Sequence, residues 1–310
     1  VKAVSKPFTK AFFGALTLFF LASCATPPEP KADLAQEYYN LGNAWFELKK
    51  FDQAAVAYQR ALLWNPRLNL AALNFARTKA ELGDPQGALE VLKPAAAKDP
   101  DNVVIQQYVA WLTAKTQGLA ASSSLYAALA LKLPGDGPTL YNAALSVNAA
   151  GDSKKALEYL KRWKEVDGKS VQGLTLLARL YDEENSPAAA AAWFDAAQAL
   201  PAGDAGRFSP LMARAEDLVK AKQYGDALSA WDDLLALPEA PDQSRGEALF
   251  RRGSLLLIHI QDYPKGLQSL LDAWKAGYKD ADQWNTLRHS PDLLYSVKLE
   301  ADLALAGVSP

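Results

Sequence analysis

The sequence predicts an all-α protein built as a stack of helical hairpins, and two observations lead there. Four columns of residues recur every 34 positions, and each column keeps its character of small, small, large or helix-breaking. Turn residues fall between the small columns, where one helix of a hairpin must end and the next begin. With Ala35 as position 1, position 8 holds Gly42, Ala76, Ala110, Ala144 and Ala178, and position 20 holds Ala54, Ala88, Ser122, Ala156 and Ala190. Position 24 holds Tyr58, Leu92, Tyr126, Leu160 and Phe194, and position 32 holds Pro66, Pro100, Pro134 and Gly168. A fixed period of this length is the mark of a repeat array.

Close helix packing explains the columns. The two helices of a hairpin cross where positions 8 and 20 meet, and only Gly, Ala or Ser lets the backbones approach there. The large residue at position 24 fills the space beside the crossing. Gly83-Asp84 and Gly151-Asp152 turn the chain between helices, and the prolines at position 32 stop the second helix. A single hairpin buries only part of its apolar surface, so its core comes from stacking on neighbours.

Two looser repeats follow. One runs from Phe208 with Leu211, Ala215, Leu218, Tyr224, Ala227, Trp231 and Leu234 in place. The other runs from Glu247 with Phe250, Ser254, Leu257, Tyr263, Gly266, Leu270 and Ala273. Residues 202–206 and 238–242 read as loops between repeats, and residues 281–305 as a terminal helix or two that cap the stack. Six tryptophans (Trp45, Trp64, Trp163, Trp193, Trp231 and Trp274) fall at packing or boundary positions and read as core.

The N-terminus reads as an export and lipidation signal. Val1 reads as a GTG initiator translated literally. Lys2, Lys6 and Lys10 precede an uncharged apolar run at residues 11–22, which is too short to span a bilayer comfortably. Leu21-Ala22-Ser23-Cys24 places the chain's single cysteine after a leucine and two small residues. A proline-rich spacer follows at residues 26–30.

Composition excludes several functions. Half of the 310 residues are apolar, which is ample for a core and excludes a disordered chain. Formal net charge is −2, and without the three leader lysines 30 basic residues face 35 acidic ones. That balance lacks the basic footprint of a nucleic-acid binder. One cysteine and two histidines rule out cysteine-cluster zinc sites and most histidine-based metal sites. No phosphate loop, nucleophile elbow or zinc-protease motif is present, so no catalytic residue, cofactor or metal is assigned. Asp182-Glu183-Glu184 reads as a solvated helix end.

The columns, with Leu41, Gly42, Trp45, Phe51, Ala54, Tyr58, Ala61 and Pro66 in the first period, resemble the tetratricopeptide repeat (TPR). The resemblance implies a right-handed α-solenoid of about seven repeats with a C-terminal capping helix. Leu21-Ala22-Ser23-Cys24 resembles the bacterial lipobox, which implies a lipid on the Cys24 sulfur and cleavage before it. The chain is thereby organised as signal peptide 1–23, lipidated Cys24 and linker to 34, repeats one to five over 35–204, degenerate repeats six and seven over 205–279, and a capping segment over 280–310. The residue after the cysteine is Ala25, which points to the periplasmic face of the outer membrane.

TPR domains typically bind peptides or partner helices along a concave groove lined by the first helix of each repeat. Carried onto this chain, the groove positions are Tyr39, Asn43 and Phe46; Leu73, Arg77 and Glu81; Gln107, Trp111 and Lys115; Tyr141, Leu145 and Asn148; and Thr175, Arg179 and Asp182. Asn40, Asn74 and Asn142 read as structural, and His259 falls towards the same side in the seventh repeat. Tyr39 stands where chaperone-binding TPRs carry a carboxylate-gripping lysine. The resemblance therefore implies a lipid-anchored adaptor that binds other proteins, similar to TPR lipoproteins of β-barrel assembly, pilus secretin assembly or peptidoglycan-synthesis regulation. The alternative is similar to TPR lipoproteins that work with a TRAP-type transporter and its substrate-binding protein on a small ligand.

Overall fold

The computed structural model describes residues 30–238, 242–294 and 296–308; the leader, Cys24 and the spacer through residue 29 lie outside them. The described residues are helical, with no strand among them. Two compact units divide between Asp84 and Pro85. The first contains α1 (Pro30–Glu47), α2 (Phe51–Trp64) and α3 (Asn69–Glu81). The second contains α4 (Pro85–Lys98), α5 (Val103–Gln117), α6 (Ser123–Lys132), α7 (Gly137–Ala149), α8 (Ser153–Val166), α9 (Val171–Glu183) and α10 (Ala189–Gln198). It continues with α11 (Phe208–Lys220), α12 (Tyr224–Leu235), α13 (Asp242–Leu255), α14 (Tyr263–Lys275), α15 (Ala281–Arg288) and α16 (Ser296–Leu305). Within each unit consecutive helices pack as neighbours, the arrangement of an all-α solenoid. No described helix is long and apolar enough to cross a membrane.

The small columns sit at the crossings. Ala76, Ala110, Ala144 and Ala178 are fully buried, as are Ala54, Ala88, Ser122 and Ala156. At Gly42 the reason is visible: a Cβ there would lie 2.6 Å from Cδ1 of Tyr58, the large residue of the same hairpin. The turn between helices uses one left-handed residue in most hairpins. Lys49, Gly83, Gly151, Asn185, Lys222 and Gln261 all have positive φ. Asp152 and Asp262 then cap the following helix by accepting from Lys155 N and Lys265 N.

Three of the sequence expectations shift. In α10 the large core residue is Trp193, 8% exposed, and Phe194 is turned outward under the Arg214 guanidinium, 4.4 Å from the ring centroid. The indole N–H of Trp193 donates to Asp182 at 3.1 Å. In the seventh repeat the small residue at the crossing is Gly253, not Ser254. A Cβ on Gly253 would lie 3.0 Å from the Gly266 carbonyl, and one on Gly266 would lie 2.6 Å from Leu257 side-chain atoms. The extra residue is absorbed by a π-helical turn over Leu256–Ile260, which ends at left-handed Gln261. Trp64, at the end of α2, is 40% exposed and is not a core residue.

The C-terminal cap is two helices. Trp284, Leu287, Leu293, Leu299 and Leu303 join Phe250 and Tyr278 in one buried cluster. Buried Arg288 donates to the Val308 carbonyl at 2.8 Å, and Tyr263 donates to Asp302 at 2.8 Å, which tie the last turns to the stack.

Candidate protein-binding groove

In the first unit the predicted groove residues form a connected polar network. Asn43 Oδ1 accepts from Tyr58 Oη at 2.7 Å and from Asn74 Nδ2 at 2.9 Å. Asn74 also reaches Tyr39 Oη at 3.5 Å and accepts from Arg77 Nη1 at 3.4 Å. One amide oxygen thereby links α1, α2 and α3. Burial is the main reason the Tyr58 hydroxyl is pushed up to about 12. Asn43 and Asn74 hold side chains together here, while Asn40 accepts from Gln36 on its own helix. Phe46 packs edge-on against Phe51. Leu73 is buried and presents no surface, whereas Arg77 and Glu81 are exposed.

In the second unit the groove residues divide between those already engaged and those left open. Gln107 donates to Thr139 Oγ1 at 3.1 Å, which ties α5 to α7. Tyr141 leans on Trp163 with ring centroids 5.9 Å apart, and burial raises its hydroxyl above the usual phenol range. Asn148 accepts from Ser153 across the hairpin turn. Leu145 and Thr175 are half-buried, and Leu145 packs on the edge of the core. Arg179 is exposed. Trp111 is the open aromatic: it is 39% exposed, stacks on Tyr108 at 5.3 Å and carries the Lys115 ammonium 4.9 Å from its centroid. Stacking and the cation hold the indole in place while part of it stays in solvent.

Asp182 does not behave as a solvated helix end. Its carboxylate accepts from the Trp193 indole and from Lys220 Nζ at 2.9 Å, and Lys220 also bonds Asp217 at 2.8 Å. Burial opposes ionisation of Asp182, but the hydrogen bonds from Lys220 and its other neighbours outweigh it and leave the carboxyl below its ordinary value. Asp217 is buried, and burial pushes it up to about 6 against the pull of Lys220. One carboxylate oxygen of Asp217 has no hydrogen-bond partner. The cluster clamps α9, α10 and α11 together.

A recess lies farther along the chain, in the region read from the sequence as repeats six and seven. Glu216, Val219 and Lys220 of α11 face Arg251, Leu255, Ile258 and His259 across a recess of about 330 Å³. His259 is exposed and stacks on Tyr224, with ring centroids 4.3 Å apart and planes 7° from parallel. Sequence reading reached His259 alone of these. The signal for the others was their place on the first helices of repeats six and seven, blurred in the seventh by the π turn.

The profile of the tetratricopeptide repeat family matches residues 35–67, the first hairpin and the proline that ends it. Residues 35–67 are a tetratricopeptide repeat. The chain is similar to an uncharacterized lipoprotein of Treponema pallidum (strain Nichols), with 32% identity over 77 residues, 25% of this chain. The match spans 39% of that lipoprotein's length. In fold it resembles a tetratricopeptide repeat protein from Parabacteroides merdae ATCC 43184, with a TM-score of 0.50 and 15% identity over 83% of this chain and 98% of that one. It also resembles MamA, residues 41 to the end, from Desulfovibrio magneticus RS-1, with a TM-score of 0.50 and 15% identity over 54% of this chain and 95% of that one. At these identities the likeness of the chain to both structures concerns the fold alone.

Proposed function

We propose that this chain is a lipid-tethered TPR scaffold that binds envelope proteins along its groove, held by Cys24 on the periplasmic face of the outer membrane. The tether rests on Leu21-Ala22-Ser23-Cys24 and on the lipoprotein relative. Two or three acyl chains are what durable anchoring takes, since a single chain holds only marginally. The observation that carries the binding role is Trp111, an indole stacked on Tyr108 and still 39% exposed. Tyr and Trp contribute most of the energy at interface centres, and a pre-ordered ring loses little entropy on binding.

Photo-crosslinking in the intact envelope tests this. A probe at Trp111 captures a discrete envelope protein, and a probe at exposed Glu158 on α8 does not. Capture through Glu158 with none through Trp111 overturns the placement of the binding face.

A second reading, handling of a small ligand beside a TRAP-type transporter and its binding protein, draws on the recess between α11 and α13. Val219, Leu255 and Ile258 give it apolar walls, and Arg251 and His259 give it polar groups. A small molecule retained in native mass spectrometry, lost in Ile258→Trp, favours this reading over the scaffold.

A further inference from the structure

The outer face of the first hairpin, away from the groove residues, is uncovered among the described residues. Leu41 is 43% exposed and Val56 is 51% exposed, and both border a recess of about 430 Å³ with Tyr38, Trp45, Asp52 and Arg60. In a hairpin stack such a face is normally covered by the next hairpin along, so an open one has surface left to bury.

The charges on this face have a particular order. Asp52, Val56 and Arg60 stand four residues apart on α2, so they line one side of the helix at steps of about 6 Å. Asp52 has no ion-pair partner among the described residues, and the Arg60 guanidinium lies over the Tyr38 ring at 5.5 Å with no carboxylate on it. An acid and a base equidistant from an apolar residue form a self-complementary pattern. Laying a copy of α2 antiparallel on itself about Val56 brings Val56 onto Val56 and sets Asp52 opposite Arg60 twice. A twofold interface requires this of a surface, whereas an unrelated partner does not.

We propose that the outer face of α1 and α2 docks on the same face of a second copy of this chain, antiparallel about Val56. Leu41 and Val56 provide the apolar centre, and the two Asp52–Arg60 pairs fix the register. The proposal is independent of what the groove binds.

Sedimentation equilibrium of the full chain in mild detergent tests it. The unaltered chain shows a concentration-dependent monomer–dimer equilibrium. Asp52→Arg alone and Arg60→Asp alone each place like charges opposite one another and weaken association by roughly tenfold or more. The two together in one chain restore the pairing and return association to within a few-fold of the original. Val56→Asp, at the axis, abolishes the dimer. All three substituted side chains are on the surface, so circular dichroism of each variant is expected to match the original. A chain that stays monomeric overturns the proposal, as does a dimer indifferent to Val56→Asp. Failure of the double reversal to rescue overturns the antiparallel register.

Discussion

Gly173 on α9 lies against the indole of Trp163 on α8, so closely that a Cβ on the glycine would overlap the ring. Trp163 is 1% exposed and sits within the buried core cluster. The glycine is therefore what lets the fourth and fifth hairpins meet. Gly173→Ala gains roughly 1 kcal/mol of helix propensity. The overlap costs about 1–3 kcal/mol or somewhat more, so the net effect is destabilising. Adding Trp163→Leu makes room for the methyl, and the pair is expected to cost less than the sum of the two changes. Urea denaturation of the three variants checks this; additive losses would show that the two residues do not press on one another.

Asn43 is the shared acceptor of Tyr58 and Asn74, so its removal leaves two donors unpaired where Tyr58→Phe leaves none. Tyr58→Phe is expected to cost about 1 kcal/mol, the net worth of one neutral hydrogen bond. Asn43→Ala is expected to cost about 2 kcal/mol or more, because unsatisfied buried groups cost more than the bond itself. Denaturant melts followed by hydrogen exchange in α1–α3 give the ranking. A larger loss for Tyr58→Phe than for Asn43→Ala would mean that the amide is not the hub.

These cases also show what a repeat period can and cannot convey. Gly42, Ala54 and Tyr58 were legible because a backbone crossing admits only small residues and leaves a gap of fixed size beside it. The same logic predicted the hairpins of α5 to α9. It slipped at α10 for Phe194, which holds the column position but is exposed, while its neighbour Trp193, also read as core, is the buried ring. It slipped again at Gly253, because Leu256–Ile260 contains no glycine or proline to announce a π turn. The groove was legible as a set of positions only. Whether Asn43 faces a partner or Tyr58, and whether Asp182 faces water or Lys220, depends on neighbours in other repeats that spacing does not specify.

Burial raises Asp217 above its ordinary value of 3.8 to about 6. The folded state then holds a proton that the unfolded chain gives up, so this stabilisation is fully present below the unfolded value. It is lost as pH rises through the folded value. Asp217→Asn cannot ionise and lacks that loss. Between about pH 4 and about pH 7.5 the original chain is expected to fall relative to Asp217→Asn by about 1–2 kcal/mol. Thermal melts of both at a series of pH values check the slope. Parallel curves would mean that Lys220 holds Asp217 ionised throughout.

Trp111 separates a binding role from a structural one, because its indole is 39% exposed and touches Tyr108 and Lys115 rather than the buried core. Trp111→Ala removes the stack on Tyr108 and the contact with Lys115, but neither is buried in the core. Stability is expected to fall by no more than about 1 kcal/mol, the range of surface changes and single aromatic contacts. If the groove is the binding face, capture of envelope partners falls by roughly tenfold or more, the loss typical of an aromatic at an interface centre. Trp163→Ala is the opposite control: it opens a cavity in the core, costs about 3–5 kcal/mol, and impairs capture only through unfolding. Pull-downs from solubilised envelope, run beside a thermal melt of each variant, separate the two effects. Unchanged capture by a well-folded Trp111→Ala would move the binding face away from α5, leaving the recess between α11 and α13 as the next segment of groove to probe.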